Sequence, residues 1–377
     1  MKKQPNIAVI TNILPKYRED MYVRLFEHYS ENIHIYCQDE IPSMNLQTIA
    51  HLYPDNRTKI KYFSLDKEKL SWQVIPLTEI IKKYDIVFLY GNPRVISSIL
   101  YGLLLALSGK KIVIWGQYHT AGANRLMEKV RLWWWSHFNN IFLYTEAEAL
   151  EYKKKYPGTA HVIGMNNGLN QDEIDAVSNG LSDADIELWK SDNDLSGKIL
   201  LLSCARLDKK NSYDMFLDCL VEIVSNNSDV VWCIIGKGEE ESSLKDKADG
   251  LGVSANIKWV GALYEQTELA PWFLSSVALI HPGAIGLSLL HAMGYGLPVI
   301  THDNNSCQMP EIAALKNNFN GMRYQYGSRA SLIESVNSVL KNSELREQLS
   351  ENALNTARSE YNTDIMANNF IKMVDSL

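Results

Sequence analysis

The chain has 377 residues, 46% of them hydrophobic, and a formal net charge of −7. That length is enough for two domains of ordinary size, each with its own core, and exceeds the usual size of a single one. The acidic balance gives no support to a general nucleic-acid binder, local basic patches aside.

The first residues, Met1-Lys2-Lys3-Gln4-Pro5-Asn6, lead straight into a strand pattern instead of a long uncharged apolar region, so no signal peptide is expected. Strand patterns follow at 7–11, 33–36, 86–90, 112–115, 141–144 and 160–163, with helix candidates such as 17–29 and 94–107 between them. The longest apolar stretch, 99–107, is too short to span a bilayer and reads as a core helix. From 94 to 135 the sole acid is Glu128, against Arg94, Lys110, Lys111, Arg125, Lys129 and Arg131, and the stretch closes on Trp133, Trp134 and Trp135. Cations beside indoles suit the surface of an anionic membrane, where each exposed cation contributes about 1 kcal/mol. A solvated face with core tryptophans accounts for the same residues, and both readings stand.

Segments 166–170 and 183–196 are polar and turn-rich without β periodicity, which places a hinge and a domain boundary near residue 190. Beyond it come strand patterns at 199–204, 230–235, 257–260, 277–280 and 298–301, then helical stretches at 328–340, 344–358 and 363–374. Short apolar strands alternating with helices predict parallel sheets covered on both faces. The expected organisation is α/β, two doubly wound domains over 1–190 and 191–358, with a terminal helical segment at 359–377. Cys37, Cys204, Cys219, Cys233 and Cys307 form no C-x-x-C pair and read as reduced thiols of a cytosolic protein.

One stretch stands apart. Residues 281–298 leave an apolar run, break at Pro282-Gly283, and resume as a pattern that opens a helix near Gly286, Leu287 and Ser288. Backbone N–H groups then converge just past a strand end, which is a place to hold an anion. An ordinary strand-to-helix turn with glycines for tight geometry is the plainer account. The stretch resembles the donor-binding signature of retaining glycosyltransferases with two facing Rossmann-like domains (the GT-B fold, family four), Glu-Gly-Phe-Gly-Leu-Pro-Leu-Leu-Glu-Ala-Met followed by Gly-x-Pro-Val. Gly286-Leu287, Leu289-Leu290, Ala292-Met293 and 296–299 fit it, whereas Gly283 and His291 stand where the family has its two glutamates. Asn167 to Asn170 resembles a further family segment, Asn-Gly-Ile-Asp.

The resemblance implies two Rossmann-like domains facing a central cleft, with the last helix crossing back onto the first. Breaking the bond to a nucleotide diphosphate requires cations at the leaving phosphate. Arg206, after strand 199–204, would bridge the diphosphate bidentately, with Lys210 or Lys209 as a point charge. The family's Gly-Arg-Leu and Lys-Gly pattern departs here, since Asn211 replaces the glycine; a solvated basic turn is the alternative. Gly261 and Leu263 would line the base pocket, although a hydrophobic turn is simpler. Gly283, Ala284, Ile285, Gly286, Leu287 and Ser288 would cradle the donor, His291 would reach the ribose unless it is a core residue, and Glu311, in a loop resembling Gly-x-Pro-Glu, would take part of the sugar-binding task or else serve as a helix N-terminal acid.

His119, just past strand 112–115, resembles a histidine directed at the donor sugar; with Arg206 and Lys210 it completes the candidate catalytic set. Asn12, Tyr17 and Arg18, after the first strand, are candidate acceptor contacts, with a helix N-terminus as the alternative; the family's glycine-rich loop is missing there. Gly236-Lys237-Gly238 invites a dinucleotide fingerprint, but Glu241 replaces the third glycine and Glu239 to Glu241 would repel a pyrophosphate. No NAD site follows. The D-x-D pairs at 183–185 and 192–194 lie in polar linker, and no metal site or cofactor is expected.

The expected activity is retaining, metal-independent transfer of a sugar from a nucleotide-diphosphate donor to a saccharide or lipid-linked acceptor, in surface polysaccharide assembly. Its place would be the cytoplasm, at the inner face of the cell membrane. A nucleotide-sugar epimerase of related fold and a non-catalytic nucleotide-sugar-binding partner are the other classes the residues allow.

Overall fold

The computed structural model describes residues 4–39, 48–65, 70–119 and 125–377. Met1 to Lys3, quoted at the start of the sequence, lie outside the described residues. The first half contributes strands β1 (Ile7–Ile10), β2 (Ile33–Cys37), β3 (Arg57–Lys59), β4 (Lys61–Leu65), β5 (Leu70–Val74), β6 (Ile86–Tyr90), β7 (Lys111–Gly116), β8 (Asn140–Leu143) and β9 (His161–Gly164). The second contributes β10 (Ile199–Cys204), β11 (Val230–Ile235), β12 (Ile257–Gly261), β13 (Ser276–His281), β14 (Val299–His302) and β15 (Gly321–Tyr324). Among the described residues they form a parallel sheet in the order β3-β2-β1-β6-β7-β8-β9, a second in the order β12-β11-β10-β13-β14-β15, and the antiparallel pair β4-β5.

Each residue of β1 and of β11 is buried, as strands covered by helices on both faces must be. Every strand expected from the apolar patterns is present. Two of the additional ones, β3 and β15, lack such a pattern: β3 is Arg-Thr-Lys, and β15 carries Arg323.

The chain divides into two compact units, one of Met1–Asn170 with Thr363–Leu377 and one of Gln171–Asn362. The boundary expected near 190 therefore falls at Asn170, because the supposed linker is helical and belongs to the second unit. Helix Asp183–Asp192 starts with a capping box between Ser182 and Asp185. Its Trp189 meets Trp272 edge-on at 4.6 Å, and Gln171, opening helix Gln171–Asn179, donates to the Gly294 carbonyl at 2.9 Å. The terminal helix Thr363–Asp375 is part of the first unit, where Phe370 stacks on Phe88 at 4.1 Å and Asp364 pairs with Arg24 at 3.1 Å.

Candidate functional site

In the second unit β10 lies between β11 and β13, so the loops leaving its carboxyl end and that of β13 depart to opposite sides. Open α/β sheets bind ligands at such a switch point. The turn after β10 exposes Arg206, Lys209 and Lys210, with Lys210 Nζ 3.3 Å from Asp208 Oδ2. Buried Asn211 donates its amide to the Arg206 carbonyl at 2.7 Å and braces the turn from within.

The loop after β13 lies directly against that turn. A Cβ placed on Gly283 would sit 2.0 Å from the Lys210 carbonyl oxygen and 2.5 Å from Asn211 Cα, so only glycine allows the two main chains to meet. The family's glutamate has no room at this position. Ala284 N–H donates toward Lys210 O at 3.4 Å, and buried Ile285 donates its N–H to Gln308 Oε1 at 2.8 Å. Gln308, itself buried, donates to Thr301 Oγ1 at 3.0 Å and to the His302 carbonyl at 3.2 Å, which fixes the loop to β14. Gly286 then caps helix Leu287–Gly294, and Ser288 Oγ donates to the Cys204 carbonyl at 2.6 Å, tying this helix to the end of β10. Leu287 and Ser288 place first-turn amides, which have no intrahelical acceptor, at the carboxyl edge beside the cations.

Around this core, β11 and β12 close one side. Gly236, at φ 146°, comes so near β10 that a Cβ would fall 1.9 Å from the Ala205 oxygen, and its N–H donates to Gly261 O at 2.8 Å. Leu263 is half-buried next to Gly261. His291 packs its ring against Phe273 at 4.6 Å and Tyr295 at 5.5 Å, with Nε2 bonded to Gln266 Oε1 at 2.9 Å. Burial pushes its pKa down to about 4, so the imidazole is neutral at neutral pH. Glu311 is buried with one carboxylate oxygen 3.9 Å from where a Cβ of Gly286 would sit. The structure thus gathers Arg206, the 209–210 lysines, residues 283–288 and Glu311 at one edge.

In the first unit the carboxyl edge carries the other candidates. His119 is exposed, with Nε2 2.7 Å from Glu151 Oε2 and its N–H bonded to Glu148 Oε1 at 2.9 Å. Asn12 accepts from Gln73 at 3.3 Å, Tyr17 is half-buried, and Arg18 is 6% exposed. Of the tryptophans in the basic stretch, Trp134 and Trp135 are core residues, and Arg131 is buried with Nη2 on the Tyr118 carbonyl at 2.6 Å. Trp133 remains 64% exposed.

Residues 185–356 match the family model of glycosyl transferases group 1. The match lies wholly within the second unit. No curated protein sequence matches the chain. The fold of the whole chain is that of solved glycosyltransferases. It resembles HepE from Anabaena, solved in complex with UDP, at 13% identity and TM-score 0.74, covering 98% of this chain and 99% of that one. A glycosyltransferase from Rickettsia africae gives 14% identity and TM-score 0.74 over 99% and 98% of the two chains. Sucrose-phosphate synthase from Thermosynechococcus elongatus gives 14% identity and TM-score 0.68 over 99% and 98%. Two Rossmann-like parallel-sheet units of this kind are the GT-B fold.

Within the second unit, the residues that hold the edge rigid carry no signature of their own. Gln308 ties the loop after β13 to β14, which only the fold reveals. His281 and His302 end β13 and β14, each 1% exposed, and burial pushes both pKa values down to about 4. Tyr324 donates its hydroxyl to the Pro282 carbonyl at 3.0 Å from below the same loop. Among the described residues no group of three or more His, Cys, Asp or Glu side chains is placed to hold a metal ion, and no helix is long and apolar enough to cross a membrane.

Proposed function

We propose that the chain is a retaining, metal-independent glycosyltransferase whose second unit binds a nucleotide-diphosphate sugar. One observation carries this reading. A cationic turn holding Arg206 is locked through main-chain contact at Gly283 to a loop that opens a helix, at the switch point of a domain matching glycosyl transferases group 1. HepE, of the same fold, has been solved with UDP and with UDP-glucose.

As the anomeric bond breaks, charge grows on the leaving phosphate. Arg206 meets two phosphate oxygens with its planar fork, a lysine at 209 or 210 adds a point charge, and the amides of Leu287 and Ser288 meet the remaining oxygens. The amides are fixed by the fold before charge develops, so they require little reorganisation during the step. Neutral His291 holds a ribose hydroxyl through the ring nitrogen that Gln266 does not engage, and Glu311 orients sugar hydroxyls beside Gly286. The acceptor hydroxyl attacks from the face the diphosphate leaves, through an oxocarbenium-like state, and its proton passes to the departing diphosphate oxygen. His119, set by Glu151, orients a hydroxyl of the donor sugar.

The acceptor, a saccharide or lipid-linked saccharide, binds the first unit, and the product enters surface polysaccharide at the cytoplasmic face of a membrane. Leu100, Leu103 and Leu107 line one face of helix Ile96–Leu107 and are 42%, 57% and 77% exposed, an apolar stripe suited to shallow insertion with Trp133 and exposed Lys129. Gly283, with no space for a carboxylate, favours one second reading, a nucleotide-sugar-binding partner without activity. A thermal-shift screen against UDP, GDP, ADP, CMP and their sugars tests nucleotide binding, and release of the free nucleotide on adding acceptor separates the two readings.

A further inference from the structure

Among its described residues, the first unit buries a cation without a counter-charge. Arg18 precedes helix Glu19–Tyr29 and follows β1, which lies between β2 and β6 at the switch point of its own sheet. It is 6% exposed. Its Nε and Nη2 both donate to one neutral oxygen, Asn167 Oδ1, at 3.3 and 3.1 Å. Its guanidinium lies 4.8 Å from the ring centre of Tyr144, 5.2 Å from Tyr17 and 5.4 Å from Trp115. The adjacent acids are engaged elsewhere: Glu19 accepts from the Tyr53 hydroxyl at 3.0 Å, and Asp20 pairs with Arg24 at 2.7 Å. Among the described residues no carboxylate forms an ion pair with Arg18.

Buried guanidinium groups are ordinarily paired with an anion, because removing a charge from water is costly and neutral partners recover only part of the loss. Aromatic faces compensate in part. What is missing is negative charge in the plane of the fork, and carboxylates and phosphates fit that fork bidentately. Tyr17, Tyr90 and Tyr144 are half-buried beside it, so rings on which a sugar can stack adjoin the cation. We propose that Arg18 recognises an oxyanion on the acceptor, a sugar carboxylate or a phosphate, so that the acceptor is an acidic saccharide or a phosphate-bearing one. This assignment rests on the glycosyltransferase reading for the word acceptor, and on the buried cation alone for the anion.

The test is a calorimetric titration of the full chain with methyl glucuronide, glucose 6-phosphate and neutral methyl glucoside, each with and without UDP. At least one of the two anionic probes is expected to bind tenfold or more tightly than the glucoside, and the better of the two tells carboxylate from phosphate. Arg18→Gln should abolish that preference while leaving UDP affinity as it was. Arg18→Lys, which keeps charge but loses the fork, should retain only part of it. Should Arg18→Gln fail to fold, the wild-type comparison and Arg18→Lys still decide. Equal affinity for all three probes, or a preference that survives intact in Arg18→Gln or Arg18→Lys, would overturn the assignment. Failure of the two readings separates within the same data. An Arg18-dependent anion preference without any UDP binding removes the transferase and keeps the anion site, whereas UDP binding without an anion preference removes only the anion site.

Discussion

Replacing Gly283 by alanine probes the contact on which the donor site is built. The new methyl would lie 2.0 Å from the Lys210 oxygen, where ordinary contact begins at 3.4 Å, an overlap of about 1.4 Å against main chain with no flexible side chain to give way. Either the 282–286 loop or the 209–211 turn has to move. Overpacking of this kind costs about 1–3 kcal/mol. In a unit of this size, about 2 kcal/mol lowers the melting temperature by roughly 4–8 °C. Because the displaced turn bears Arg206, a shift near 1 Å should reduce turnover about a hundredfold. Gly250→Ala, inside helix Glu241–Leu251 of the same unit, is the internal control, since a Cβ there would meet nothing within 4 Å. Calorimetric melting and initial rates on both variants check the argument. Equal melting temperatures and rates for Gly283→Ala and the unaltered chain would refute it.

Other outcomes follow from the same packing. Gln308→Leu leaves the buried Ile285 N–H without its acceptor and should cost about 1–3 kcal/mol in urea unfolding; no change would mean that the loop is held by other contacts. His281 and His302 titrate near 4 in the folded chain and near 6.5 when unfolded, so the unfolded chain takes up protons first. Stability is therefore complete above about pH 6.5 and falls progressively towards pH 4, and His302→Asn should make that slope shallower in urea midpoints measured across the window. A flat profile would contradict the burial of these rings. Replacing Leu103, Leu107 and Trp133 with serine should reduce co-sedimentation with anionic-lipid vesicles several-fold and leave neutral-lipid binding low; unchanged sedimentation would remove the stripe from any membrane role.

Much of this architecture is legible in the residues because parallel strands buried on both faces are short apolar runs, and β1, β6, β7, β10, β11 and β13 are all of that kind. The strand β15 escapes because Arg323 interrupts its pattern, and helix Asp183–Asp192 escapes because polar residues dominate it. The serine and aspartate of its capping box, and Trp189, are the signals that could have revealed it. At the site, the cations after β10 and the glycine-broken turn after β13 are visible in sequence order. What cannot be read there is their contact. Gly283 looks like a missing glutamate in a one-dimensional comparison, and in three dimensions it is where two main chains touch. Arg18 looks like a helix N-terminal residue, and only the fold surrounds it with rings from β7, the loop after β8 and its own turn.

The most direct measurement is a titration of the purified chain and of Arg206→Ala with UDP, GDP and ADP. Arg206 is exposed, so its removal should leave the melting temperature intact. One of the diphosphates is expected to bind the unaltered chain, with affinity at least tenfold weaker in the variant, roughly 1.4 kcal/mol or more. Identical binding in the two proteins, or no binding of any diphosphate, would contradict the assignment of this edge to a nucleotide sugar.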